Sequence, residues 1–133
     1  MIYAVIDTNV LVSALLTRNQ LSPTKKVLEL ITSKDITPLI NQDIIAEYRE
    51  VLHRSKFLFK SEDINDLISF IQETGINTQR TSFPELMPDE SDRVFFEITL
   101  SVEDSFLVTG NLKHYPKKPQ VVTPAEFLQF IGK

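Results

Sequence analysis

The chain has 133 residues, of which 42% are hydrophobic and 24% charged, with 14 Lys+Arg against 18 Asp+Glu and a formal net charge of −4. That length and apolar fraction support one globular domain over residues 1–133. The lack of cysteine excludes a disulfide scaffold, the ordinary apolar content excludes disorder, and the negative balance excludes broad electrostatic attraction to nucleic acid, so that such a partner needs a local basic patch or bound cations.

Met1-Ile2-Tyr3-Ala4-Val5-Ile6-Asp7 carries no basic segment and meets an aspartate before a signal-length apolar run develops. We therefore expect neither a signal peptide nor a membrane span, and a cytoplasmic location. Ile2 to Ile6 is short, apolar and β-branched, which predicts a strand buried on both faces of a parallel sheet. Val10, Leu11, Ala14 and Leu15 recur at helical spacing, and Ser22-Pro23 opens a second helix with Val27, Leu28 and Ile31. Ile36 to Ile40 reads as a strand that Pro38 places near an edge. Asn41 caps a helix with an apolar stripe of Ile44, Ile45, Tyr48, Val51 and Leu52. Another helix runs from Ser61 through Ile64, Leu67, Ile68 and Ile71 to Gly75, its expected C′ stop. A short strand near Ile76 to Gln79, a loop from Arg80 to Ser91, a helix from Asp92 to Val102 and a strand from Ser105 to Thr109 follow. Gln120 to Val122 is the last strand, and Thr123-Pro124 starts a terminal helix with Pro124 at its first position. Strands alternating with helices at these lengths predict an α/β fold, a three-layer α/β/α sandwich around a mostly parallel sheet.

Ligands of open parallel sheets bind beyond the carboxyl ends of the strands. Asp7 directly follows the first strand and Asn111 the fourth, after Gly110. Asp92 opens the helix leading into that fourth strand, and Glu47 borders the apolar stripe of the helix after Ile40. Each acid has a plainer reading: Asp7, Asp89 and Asp92 as helix caps, Glu47 as a solvated helix residue. Together they say more. Carboxylates converging within ~5 Å repel by about 3 kcal/mol per pair at an effective dielectric near 20, so such a cluster takes up protons or holds a cation. All-oxygen ligation selects the hard ions Mg²⁺ or Mn²⁺. Asp104 precedes its strand and lies at the opposite sheet edge, outside this set.

Asp7-Thr8-Asn9-Val10-Leu11, Glu47 within Ile44-Ile45-Ala46-Glu47-Tyr48, Asp89-Glu90-Ser91-Asp92-Arg93-Val94-Phe95 and Leu107-Val108-Thr109-Gly110-Asn111 resemble, in this order, the PIN-domain ribonucleases, from Ile2 to about Gly132. The last two segments are most similar to the branch of toxins of type II toxin–antitoxin modules. The resemblance implies that Asp7, Glu47 and Asp92 hold one or two Mg²⁺ or Mn²⁺ ions and that single-stranded RNA is hydrolysed. It also implies a small antitoxin as partner, a homodimer, and no membrane association. The family's fourth position is often Asp; Asn111 stands there and costs one negative charge, which puts a second ion in question. Thr8, Asn9, Asp89 and Thr109 are candidates to support these ligands from behind. A metal-dependent endoribonuclease would use the ion to activate water and offset phosphate charge.

Lys113, His114, Tyr115, Lys117 and Lys118 form a basic loop beyond this edge. Lys113, His114 and Lys117 are candidates to hold RNA phosphates, with the aromatic for a splayed base, although such a loop also serves solubility alone. Phe57-Leu58-Phe59, between two helices and flanked by lysines, is the candidate partner surface, or else a plug of the core. Two other readings stay open: a binding module of the same fold that does not cut, for which Asn111 speaks, and a phosphoryl-transfer domain. Receivers want a phospho-accepting Asp after the third strand, where Gln79-Arg80 stand, and haloacid-dehalogenase-like enzymes want a second Asp where Asn9 stands, so both fit worse.

Overall fold

A computed structural model describes all residues, 1–133. Five strands, β1 (Ile2–Ile6), β2 (Ile36–Ile40), β3 (Ile76–Asn77), β4 (Phe106–Val108) and β5 (Val121–Val122), form one sheet in the order β3-β2-β1-β4-β5. Every pairing is parallel. The helices are α1 (Thr8–Leu16), α2 (Pro23–Thr32), α3 (Gln42–Leu52), α4 (Ser61–Thr74), α5 (Arg93–Leu100) and α6 (Pro124–Phe130). Helix α2 joins α1 and α6 on one side of the sheet, and α3 joins α4 and α5 on the other, giving the expected three layers. The central strand shows why: Ala4, Val5 and Ile6 are fully covered, which a strand achieves only with helices on both faces.

The starts of α2, α3 and α6 follow their capping residues. Ser22 accepts from Lys25 N–H at 3.2 Å and Asn41 from Ile44 N–H at 2.8 Å. Thr123 and Glu126 form a reciprocal capping box ahead of α6, with Pro124 in its first turn.

Two expectations require correction. Strand β2 is not an edge strand, since β1 and β3 flank it. Pro38 is tolerated because β3 begins opposite Leu39. Its carbonyl faces the Gly75 side, and N–H and C=O of one strand residue point the same way, so the missing donor falls where no strand lies. Gly75 does end α4, but at φ −80° rather than in the left-handed region. Glycine is required for space: a Cβ there would sit 2.6 Å from the Ile71 carbonyl oxygen and 2.9 Å from that of Pro38.

Boundaries also move. The segment expected as one helix from Asp92 is a 3₁₀ turn, Glu90–Asp92, followed by α5. The loop before it is anchored by Arg93, which bonds both oxygens of Glu90 and the carbonyls of Phe83 and Glu85. Glu97, buried on α5, accepts from Arg80 at 2.7 Å and from Phe83 N–H at 2.8 Å. Burial opposes its charge, but those donors outweigh it and hold its pKa below the ordinary value.

The chain lays down β1, β2 and β3 in one direction and then returns to place β4 and β5 on the other side of β1. The topological switch point therefore lies between β1 and β4, and a cleft lined by Asn9, Gly110 and Asn111 lies at their carboxyl ends, where such sheets bind ligands.

Candidate active site

Asp7 leaves β1 into this cleft. It stands at the N-cap position of α1, yet its side chain makes no capping bond. Three donors instead converge on a single oxygen, Oδ2: Thr109 Oγ1 at 2.8 Å, the Tyr115 hydroxyl at 2.9 Å and Asn9 Nδ2 at 3.3 Å. No side-chain donor reaches Oδ1. Burial raises the Asp7 pKa, and the hydroxyls of Thr109 and Tyr115 oppose that rise.

Thr109 also accepts from Asn111 N–H at 3.0 Å, and Asn9 Oδ1 accepts from Gly110 N–H at 3.1 Å. These bonds tie the turn after β4 to the turn after β1. Thr8 points elsewhere than toward Asp7: its hydroxyl donates to Glu47 Oε2 at 2.8 Å. Glu47 is carried by α3, whose next residue, Tyr48, is buried and donates to the Ile6 carbonyl at 2.5 Å. That bond fixes α3 against the end of β1. Glu47 is half-buried, with its pKa raised first by burial and further by the charge of Asp7.

Asp92 arrives from across the cleft. It too precedes a helix without capping it, and it is buried. Its pKa is pushed up to about 6, by burial first and then by the charges of Asp7 and Asp89. Its Oδ2 bonds His114 Nδ1 at 3.0 Å. The one triad of potential ligand atoms within 4.8 Å of one another is Asp89, Asp92 and His114; Asp7 and Glu47 lie outside it. Asp89 is the acid that behaves as a cap, accepting from Ser91 N–H at 3.0 Å and from the Ser91 hydroxyl at 2.7 Å. Asn111 is half-buried and its amide contacts His114 Nε2 at 2.8 Å.

The cleft thus joins Asp7 to Thr109, Asn9 and Tyr115, Glu47 to Thr8, Asp92 to His114, and His114 in turn to Asn111. His114, expected at phosphates, is occupied by these two neighbours. Tyr115 is a correction: it is buried with its hydroxyl on Asp7, and no base can stack on it. The signal for it was a tyrosine four residues after Asn111 in a loop otherwise rich in lysine. Lys113, Lys117 and Lys118 are exposed on that loop. Asp104, exposed with φ 64°, precedes β4 at the far end of the sheet.

A buried carboxylate bonded on one oxygen, together with a second whose pKa is pushed up to about 6 first by burial and then by that same charge, fits a divalent cation. The donors are oxygens with one imidazole nearby, and no thiol is present, which favours hard ions. A family model described as PIN domain matches residues 3–113, ending one residue before His114. No curated protein matches the chain, and no solved structure does. No helix is long and apolar enough to cross a membrane.

Proposed function

The chain belongs to the PIN-domain family, and on that footing we propose that it is a Mg²⁺- or Mn²⁺-dependent endoribonuclease of single-stranded RNA, the toxin of a type II toxin–antitoxin pair acting in the cytoplasm. The family points to nuclease chemistry, and the group of Asp89, Asp92 and His114, which shares Asp92 with the proposed ligands, is close enough to hold a metal. The observation that carries the reading is Asp7: a buried carboxylate at the switch point, with three donors on one oxygen and none of them a cation.

Asp7, Glu47 and Asp92 hold the cation, with the carbonyl oxygen of Asn111 as fourth ligand. A bound divalent ion supplies Lewis acidity, easing deprotonation of water and offsetting charge on the phosphate oxygens. The rest falls to this chain. Thr109, Tyr115 and Asn9 immobilise Asp7, Thr8 does the same for Glu47, and His114 for Asp92. Asp92, near pKa 6 without a cation, must be ionised to bind one, so activity falls as pH drops below about 6. Lys113 and Lys117 hold flanking phosphates. Antitoxin and second copy dock at Phe57-Leu58-Phe59, where Leu58 is 87% exposed.

Cleavage of a single-stranded RNA tests this. It requires divalent metal, stops with EDTA and falls at least ~100-fold in Asp7→Ala and Asp92→Ala; equal rates in wild type and both variants would refute it. Asn111 favours a second reading, a module that binds RNA or a partner without cutting. Mn²⁺ titration decides between them: no heat of binding, with RNA affinity retained, selects the module.

A further inference from the structure

The amide of Asn111 poses a problem that a carboxylate at that position would not. A carboxylate offers oxygen whichever way it turns, whereas an amide offers oxygen on one side and an NH₂ group, which repels a cation, on the other. Something must choose. His114 Nε2 lies 2.8 Å from Asn111 Nδ2. An amide nitrogen only donates, so Nε2 accepts and carries no proton. The ring proton of the neutral imidazole is then on Nδ1, which donates to Asp92 Oδ2 at 3.0 Å. The two bonds define each other: the tautomer that holds Asp92 is the one that captures the NH₂ of Asn111 and turns its carbonyl oxygen away from the ring.

We propose that His114 is a positioning residue which, as its Nδ1–H tautomer, fixes Asp92 and orients Asn111 oxygen-first, making an asparagine serviceable where a carboxylate would need no orientation. This rests on the metal reading above and goes beyond it, by giving His114 a task separate from RNA phosphates. The 3₁₀ turn Leu112–His114 supplies the geometry, since it places the imidazole three residues beyond Asn111 and back over it.

The test separates the two arms by side-chain shape. In His114→Asn the amide nitrogen replaces Nδ1, keeping the bond to Asp92 and losing that to Asn111; in His114→Ala both are lost. Mn²⁺ affinity, read by calorimetry, falls at least ~10-fold in His114→Ala, the usual cost of removing a group that orients a ligand, with partial recovery in His114→Asn. In an Asn111→Asp background, where nothing needs orienting, His114→Asn costs no affinity. A control reads the metal-free melting temperature, which stays within a few degrees in all variants. Nitrogen NMR of the imidazole reports the tautomer directly, with Nδ1 protonated in the metal-free protein.

Equal Mn²⁺ affinity of His114→Ala and wild type, while Asp92→Asn abolishes binding, would overturn the positioning role and leave the metal site standing. So would an Nε2–H tautomer, or a loss from His114→Asn that is the same with and without Asn111→Asp. Wild-type protein that binds no Mn²⁺ would overturn the metal reading, and this role with it.

Discussion

Asp92 stands where its own charge is disfavoured. Its carboxyl is held near pKa 6, above the ordinary value of 3.8, because burial and the charges of Asp7 and Asp89 all disfavour ionisation. A group whose folded pKa is raised favours the native state fully below pH 3.8 and loses that contribution as pH climbs through about 6. At pH 8 the metal-free protein therefore carries a strain of roughly 1 kcal/mol here, after allowance for solvent screening. Asp92→Asn removes it: the metal-free variant melts about 3 °C higher than wild type at pH 8, the gap closes near pH 4, and Mn²⁺ no longer raises its melting temperature. A lower melting temperature at pH 8 would show that Asp92 serves the fold. At this scale the sequence was partly readable. Position directly after a strand singles out Asp7 and Asn111, and Asp92 stands at the start of a helix, but only bonding in space separates Asp7 and Asp92 from Asp89, which does cap. Tyr115 was misread because its partner, Asp7, lies 108 residues earlier, and no local pattern encodes that contact.

At the scale of elements, periodicity and capping residues gave helices and strands close to their observed limits, because every long element presents one apolar stripe or run to the sheet. What failed was the meaning of two breakers. Pro38 and Gly75 were read by their usual local rules, edge strand and left-handed stop, whereas each answers to the other across the β2–β3 junction. Gly75→Ala tests this. The added Cβ meets two backbone oxygens that have no rotamer to move to, so urea unfolding finds the variant about 2 kcal/mol or more less stable; a change within ~0.5 kcal/mol would mean that the junction yields freely. The 3₁₀ turn Ser55–Phe57 offers the opposite case. Phe57 and Phe59 stack at 5.6 Å and are half-buried, while Leu58 between them is 87% exposed at φ 59°. Leucine there gains neither burial nor backbone comfort within one protomer. Because Asp enters the left-handed region more readily than Leu, Leu58→Asp leaves the melting temperature unchanged or higher. If the turn is the proposed interface, light scattering shows the variant with a smaller mass than wild type; equal masses remove the turn as an interface between copies.

Taken whole, the molecule sets a net charge of −4 and an acidic cleft against the proposed polyanionic substrate. Attraction must be local, and the rim formed after β4 supplies it: Lys113, Lys117 and Lys118 are exposed on the loop between Asn111 and β5, while the same loop sends His114 and Tyr115 inward to Asp92 and Asp7. One segment thus divides its side chains by direction, inward ones ordering the acids and solvated lysines left free for the proposed substrate. This division predicts a separation in kinetics. Lys113→Ala together with Lys117→Ala removes the two proposed phosphate contacts, each worth about 0.7 released counterions on single-stranded RNA, so the slope of log affinity against log salt becomes shallower by about 1.4. KM rises by roughly tenfold at low salt while kcat and Mn²⁺ affinity stay at wild-type values, because neither lysine touches the acids. A fall in kcat with an unchanged salt slope would instead mean that the loop acts only through its buried half, and that RNA enters the cleft from another side.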